Sequence, residues 1–474
     1  MGKRCILVFI IILMSGSMAA NNARFSGMGN LSLIFPDDFN RLDLYDFAKI
    51  SAGFFRNDTC SNVVLRLSGL RETWEKDSIT YLAIGQALPE RLIDYAPLEA
   101  VAFYRVIPQF SLVPGEIVYR SRSIEETYDL FGNKVSPKSW GVYAGYSQLG
   151  RSFEDTGESD CVRTPSLSLI YSKPVSQNLD LGISADGFYG YYDFPASDEK
   201  VTLMPFGGGG GISYNSDILT LGLNTEYHYP MFTYDGSVGS ENFSGHAVSP
   251  AFGSLIKFTH ITWVGAIDYK WVSLNGSADG NDIGDLKITG YSAKTQILYA
   301  PSYVRCGAFV GYDNKTPTYT DANGSIWFET AYKHYTFGGG MGVLFDRVLF
   351  GIEGIYGHFI ADDKSANNVL RSNDINIRCG SELSFINNLF IRVGYDYGRL
   401  DPDLDDIIDV TDCHVTHVIT GGLGINLLKN TEIDCGYNYK HTFTNYDPQI
   451  IVEETITDHI LFLYVKHTIR KEEF

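Results

Sequence analysis

The sequence predicts an all-β protein: a transmembrane antiparallel up-and-down β-barrel of about 16 strands (14–18), preceded by an N-terminal plug or hatch segment. Three observations predict it. A secretory leader is followed by no apolar run long enough to cross a membrane as a helix. Many segments alternate apolar and polar residues with period two. Aromatic pairs recur at one end of every second segment.

The leader comes first in the chain. Lys3 and Arg4 form a basic start, Cys5 to Met14 is an unbroken apolar run, and Ser17-Met18-Ala19-Ala20 supplies small residues for cleavage. This run is too short for a spanning helix, which needs about 20 apolar residues, and it reads as a signal peptide. The domain organisation that follows is 1–20 signal peptide, 21–138 plug or hatch with room for first strands, and 139–474 barrel.

Composition agrees with many short strands. Gly (48), Tyr (31) and Phe (29) are abundant, and only 20% of residues are charged. The net charge of −19 argues against a nucleic-acid partner, because phosphates need a basic face. Six cysteines follow the leader (Cys60, Cys161, Cys306, Cys379, Cys413 and Cys435), with neither a CxxC pair nor zinc spacing.

From about Trp140 the pattern is a strand, a tight turn, a strand, then a longer polar stretch. Between His260 and Trp271, the residues Ile261, Trp263, Gly265, Ile267, Tyr269 and Trp271 oppose His260, Thr262, Val264, Ala266, Asp268 and Lys270. One apolar and one polar face is the mark of a half-buried strand. A soluble sandwich would alternate in the same way, so the aromatics decide. Tyr189 and Tyr191, Tyr227 and Tyr229, Tyr269 and Trp271, Tyr395 and Tyr397, and Tyr437 and Tyr439 each close the second strand of a hairpin on its apolar face. Tyr312 and Tyr356 mark the same point in two further hairpins, and the spacing stays between 38 and 44 residues. Rings repeated at one end form an interfacial girdle, where the ring is apolar and the hydroxyl stays wet. Short turns lie at the other end. The girdle end is therefore expected to face outward from a bacterial outer membrane of the Gram-negative type.

Before Trp140 the hairpin rhythm fails. One reading is a plug in the lumen; the other is an additional strand pair with a linker. The segments Ala23-Arg24-Phe25-Ser26-Gly27-Met28-Gly29-Asn30, Phe35-Pro36-Asp37-Asp38 and Ile50-Ser51-Ala52-Gly53-Phe54 resemble the mature N-terminus of the long-chain fatty-acid transporter superfamily, which includes the shuttle barrels of type IX secretion. The chain has Ile50-Ser51 where that family usually has Asn-Pro. The resemblance implies a barrel with an N-terminal hatch that moves small hydrophobic molecules.

Phase along the strands gives the lumen-lining candidates Asp180, Asp186, Glu226, His228, Asp268, Lys270, Arg378, Glu382, Arg392, Asp396, Glu432, Asp434 and Lys440. Their mixed signs suit a polar interior rather than an ion-selective ring. Gly207, Gly208, Gly209, Gly210 and Gly211 run consecutively through one segment. With no Lys-Ser/Thr after them they are not a phosphate loop. Glycine in a strand marks a bulge, a bend or a close approach. The expectation is a kink or lost ladder bonds between Phe206 and Ile212, either as simple curvature or as a lateral exit into lipid.

No cofactor or metal is expected. Asp401, Asp403, Asp405 and Asp412 outline a calcium loop, but Pro402 and Asp406 break it. His414 and His417 point to opposite faces of a strand. No Gly-x-Ser-x-Gly elbow supports an enzyme. The sequence thus reads as a barrel for passive transport of small hydrophobic molecules. A partner-binding or secretion-accessory barrel, or a structural or adhesion protein, is the alternative. Its partners would be outer-membrane lipid, a small solute and, under the alternative, another protein.

Overall fold

The computed structural model describes the backbone of residues 61–76, 79–84, 115–122, 127–128 and 134–135 and, short connections apart, of 139–469, and side chains at most positions from 165 to 443 with a few beyond. The leader, the segments carrying the family resemblance, the rest of the 21–138 stretch apart from those strands and the end of the acidic 401–412 stretch lie outside the described residues.

The first strands are β1 (Ser61–Lys76), β2 (Ile79–Ile84) and β3 (Gly115–Arg122), followed by a small separate pair, β4 (Thr127–Tyr128) and β5 (Lys134–Val135). Then come β6 (Ser139–Tyr146), β7 (Gln148–Ser152), β8 (Ser159–Arg163), β9 (Ser166–Pro174), β10 (Leu179–Phe188) and β11 (Gly190–Phe194). β12 (Glu199–Leu203), β13 (Phe206–Asn215), β14 (Leu219–Tyr229), β15 (Met231–Gly236) and β16 (Gly239–Lys257) follow. Long strands complete the wall: β17 (Ile261–Ala278), β18 (Asn281–Tyr299), β19 (Val304–Asp321), β20 (Ile326–Phe345) and β21 (Val348–Asp363). The last five are β22 (Asn368–Ile386), β23 (Leu389–Asp403), β24 (Cys413–Leu427), β25 (Thr431–Tyr446) and β26 (Val452–Ile469).

Antiparallel pairing passes from β1 to β3, β6, β9, β10, β13, β14 and β16, and then in chain order from β17 to β26. β26 pairs back onto β1 from Ile469↔Ser61 to Glu454↔Lys76, and the sheet closes into a ring. Among the described residues that ring has eighteen positions, the upper end of the expected range. The increase over sixteen comes from β1 and β3, in the region where hairpin rhythm could not be read. β2 covers the far end of β1, so β2 and β3 share one position in the ring.

Inside and outside are reversed relative to a soluble protein. On β17, Ile267 is 58% exposed while its neighbour Asp268 is 7% exposed. Leu223, Ile297, Val310, Phe337, Ile352, Ile377, Val393, Ile419 and Leu461 are likewise exposed on the outer face. Glu226, Gln296, Glu353, Glu382, Arg392 and Asp434 are buried on the inner one. An apolar belt spread over this many strands far exceeds the patches that water tolerates. It is the surface that lipid requires, and ring closure leaves no edge unpaired in it. Cys306, Cys379 and Cys435 are free thiols on this outer face.

The strands are longer than the sequence suggested. Stretches expected to be long polar loops continue as strand, and β17 turns into β18 through Asp279 (φ 49°) and Gly280 (φ 81°). Two successive residues with positive φ make the tight hairpin that matches strand twist, and Asp-Gly is its favoured sequence.

Candidate functional site

The lumen lining is built from alternate residues of each strand. Of the sequence candidates, Asp186, Glu226, Asp268, Glu382, Arg392, Asp396 and Asp434 are buried inside. His228, Arg378, Glu432 and Lys440 are half-buried there, and Lys270 is exposed on the same face. Asp180 lies on β10 paired with Ser213 and Pro174, its side chain outside the described residues. Glu353, Lys294, His334 and Asp374 also line the interior and were missed by sequence reading. The signal for Glu353 was present, since Phe350, Ile352 and Tyr356 mark the opposite face of the same strand.

Several of these charged side chains meet partners of opposite sign. The Arg392 guanidinium donates from Nε to Glu382 Oε2 at 2.6 Å and from Nη1 to Asp434 Oδ1 at 2.5 Å. The Arg392 side chain is 2% exposed and lies over the Phe390 ring. Glu382 is its direct cross-strand neighbour. Asp434 is two strands away, and Gly424 on the strand between is what lets the guanidinium cross. A Cβ at Gly424 would meet both Asp434 Oδ1 and the Arg392 guanidinium.

The same device recurs elsewhere. Asp186, Gly207 and His228 lie in register on β10, β13 and β14, and His228 Nε2 reaches Asp186 Oδ2 at 2.8 Å across the glycine. Asp374 faces Gly357 and stands 3.6 Å from His334 on the strand beyond. Arg378 meets Asp396 at 3.2 Å, and Ser292 donates to Asp268. A buried charge is tolerated only when paired and hydrogen-bonded. A missing side chain on the intervening strand lets such pairs form across about 10 Å of sheet.

This corrects the reading of the glycine run. Gly207 to Gly211 are paired without interruption to β10 on one side and to β14 on the other, with no register shift. Neither a bulge nor a lost ladder pairing falls between Phe206 and Ile212. Glycine keeps its N–H, so it gives the ladder no reason to break. Its service here is space: a Cβ at Gly207 would strike the Tyr227 carbonyl and the His228 ring, and one at Gly208 the Ser184 carbonyl. The interruptions fall beside the run instead, at Met204-Pro205 between β12 and β13 and at Pro230 between β14 and β15. Proline has no N–H to give a neighbour. Pro250 and Pro317 likewise coincide with gaps in the pairing of β16 with β17 and of β19 with β20.

The aromatic girdle lies on the outer face in every hairpin expected to carry it. Tyr189, Tyr227, Tyr269, Trp271 and Tyr437 are exposed, while Tyr191, Tyr229, Tyr395, Tyr397 and Tyr439 are half-buried against neighbours. Beyond the girdle the polarity of the wall inverts. Val201, Leu203, Phe232, Phe243, Leu274, Leu286, Ile288 and Tyr319 turn inward and pack as one buried apolar cluster on β12 and β15–β19. Leu274 is 0% exposed. Tyr319 donates to the Ile283 carbonyl at 2.6 Å, and burial pushes its phenol, like that of Tyr192, above the ordinary tyrosine range.

No family model matches the chain, and no curated protein matches it. Solved outer-membrane proteins align along most of its length. The CymD monoaromatic hydrocarbon channel covers 94% of this chain and 97% of its own, at 10% identity and a TM-score of 0.37. The Ralstonia pickettii toluene transporter TbuX covers 96% and 100%, at 10% identity and a TM-score of 0.36. The copper transporter OprC covers 86% and 80%, at 7% identity and a TM-score of 0.46. At such values the likeness settles nothing about this chain, and its barrel rests on the pairing of its own strands.

Proposed function

We propose that the chain is a passive conduit of the bacterial outer membrane for small, preferentially apolar molecules, with the girdle end facing outward. The observation that carries this reading is the inversion of the wall beyond the girdle. At that end the inner side of the wall carries the packed apolar cluster of Phe232, Phe243, Leu286 and Tyr319, in place of the charged residues that occupy the inner side of the band. Deeper in the barrel, Arg392, Arg378 and His228 are each matched by a carboxylate. Among the described residues the lining thus mixes both signs, which does not make an ion-selective ring. Apolar solutes lose little on passing such a lining, whereas a hydrated solute gains nothing from the apolar mouth.

The test is flux into liposomes carrying the refolded protein, comparing a neutral aromatic hydrocarbon with a sugar of similar size. The hydrocarbon should accumulate faster than in protein-free liposomes while the sugar does not, and single-channel currents should be small. Free passage of the sugar with large ohmic currents would make the protein a general pore. Flux of neither solute would remove the conduit reading and leave a partner-binding or structural barrel.

A further inference from the structure

The girdle contains a repeated unit that passive anchoring does not require. On the outer face, Tyr229, Tyr397 and Tyr439 each have a histidine as cross-strand neighbour on the following strand: His246, His417 and His459. Each imidazole lies 5.4 Å, centroid to centroid, from that tyrosine. Its Nδ1 is hydrogen-bonded to the hydroxyl of the tyrosine two residues earlier, at 2.7 Å for Tyr227 and 2.6 Å for Tyr395 and Tyr437. The arrangement recurs three times, once between β14 and β16 and twice in the consecutive hairpins β23–β24 and β25–β26.

The tyrosine hydroxyl is the better donor and the imidazole nitrogen the better acceptor, so the hydroxyl proton points at Nδ1. That fixes the other tautomer position, and Nε2 carries the N–H. Each unit thus holds an N–H donor rigidly between two rings at the level where lipid headgroups begin.

The equivalent position in the other hairpins carries a donor too. It is Lys333 opposite Asn314, Thr289 opposite Trp271, Asn373 opposite His358 and Thr202 opposite Tyr191. One outward-facing step nearer the rim stand Lys287 and Arg371. None of these positions is a carboxylate, although the chain carries 56 Asp and Glu against 37 Lys and Arg. Of the outward carboxylates beyond them, Asp193 accepts from the Tyr191 hydroxyl, Asp401 from Arg399 and Glu329 from Lys364, while Asp235 and Asp285 stand farther toward the rim.

We propose that this ring of lipid-facing donors, with the Tyr–His clusters as its recurrent unit, binds the phosphate of anionic lipid headgroups. The inference rests on the membrane-barrel reading and goes beyond the conduit: it assigns the outer surface a ligand. An anionic phosphate accepts several charge-assisted hydrogen bonds at once, and a row of donors with no carboxylate at its own level suits it. A zwitterionic headgroup brings its own cation and should be held less well.

The experiment is native mass spectrometry of the refolded protein released from neutral detergent after loading with phosphatidic acid or phosphatidylcholine. The wild type should retain phosphatidic acid preferentially. The combined variant His246→Phe, His417→Phe and His459→Phe keeps the rings but removes the donors, and should retain it roughly tenfold less well. Phosphatidylcholine retention should not change. Should the triple variant fail to refold, each single variant should lower the number of tightly held lipids by one, and Lys333→Gln should act in the same direction. Equal retention of the two lipids, or unchanged retention in the variants, would overturn the proposal. Displacement of the bound lipid by inorganic phosphate would show a free-anion site instead. Failure of the wild type to float with vesicles would overturn the barrel reading rather than this one.

Discussion

Strand β17 contains two different proteins in one ladder. From Ile261 to Trp271 its outward positions are Ile, Trp, Gly, Ile, Tyr and Trp, and Asp268 and Lys270 point inward. From Val272 to Ala278 the outward positions are Ser273, Asn275 and Ser277, and Leu274 points inward, completely buried. Strand phase does not slip between the halves, because pairing with β18 is continuous from Ile261 to Gly276. What changes is the parity of the apolar residues, across the adjacent pair Trp271-Val272. β18 makes the same change between Ile288, which faces in, and Tyr291, which faces out. The difference teaches that period two fixes the strand but not its inside. The outer solvent decides which face is apolar, lipid along the band and water beyond the girdle.

The comparison can be broken at several points. The largest effect should come from the band's interior. Arg392→Met leaves Glu382 and Asp434 buried beside each other without their cation, and should cost about 3–5 kcal/mol in denaturant unfolding of the liposome-inserted protein. A loss below ~1 kcal/mol would mean that water reaches this rib freely.

A pair of arginines placed on one outward face sharpens the boundary. Ile267→Arg should cost roughly 2–4 kcal/mol, because it faces mid-membrane. Asn275→Arg, on the same face of the same strand, should stay within about 0.5 kcal/mol. Equal costs would erase the distinction between band and extension.

The smallest perturbation asks which side the extension is on. Asn281→Cys should be labelled in intact cells by an impermeant thiol reagent, above the background of the native cysteines, with stability unchanged. His260→Cys should be silent until the membrane is opened. The reverse result would turn the barrel over and place the extension in the periplasm.

Much of this architecture was legible in the sequence, and the failures have a common cause. The girdle could be read because tyrosines recur at near-constant spacing on a face of constant parity. The buried charges from Asp186 to Asp434 could be read from the same parity. Segments such as Ser273 to Ala278 looked like loops because the apolar positions change phase there, and a pattern search takes a phase change for an end. The Gly207 run misled for another reason. A lone strand of glycine looks weak, but its value lies in what its two flanking strands do, in the Asp186–His228 contact that it makes room for. The Tyr–His units were invisible for a similar reason. Tyr397 and His417 are twenty residues apart and meet only because of where the intervening turn falls. Sequence spacing carries no such information.

The closure of the ring has a bearing on how the molecule is made. Every other ladder in the long-stranded wall joins neighbours in the chain, and a two-residue turn such as Asp279-Gly280 lets them meet early. The β1–β26 ladder joins sixteen residues near one end of the described chain to sixteen near the other. It is the contact of greatest sequence separation in the wall and carries the largest loop-closure cost. Until it forms, two long edges present unpaired backbone to whatever is nearby. The growing sheet must therefore be shielded along those two margins, and the last ladder to zip is the one that turns an adhesive ribbon into an inert tube.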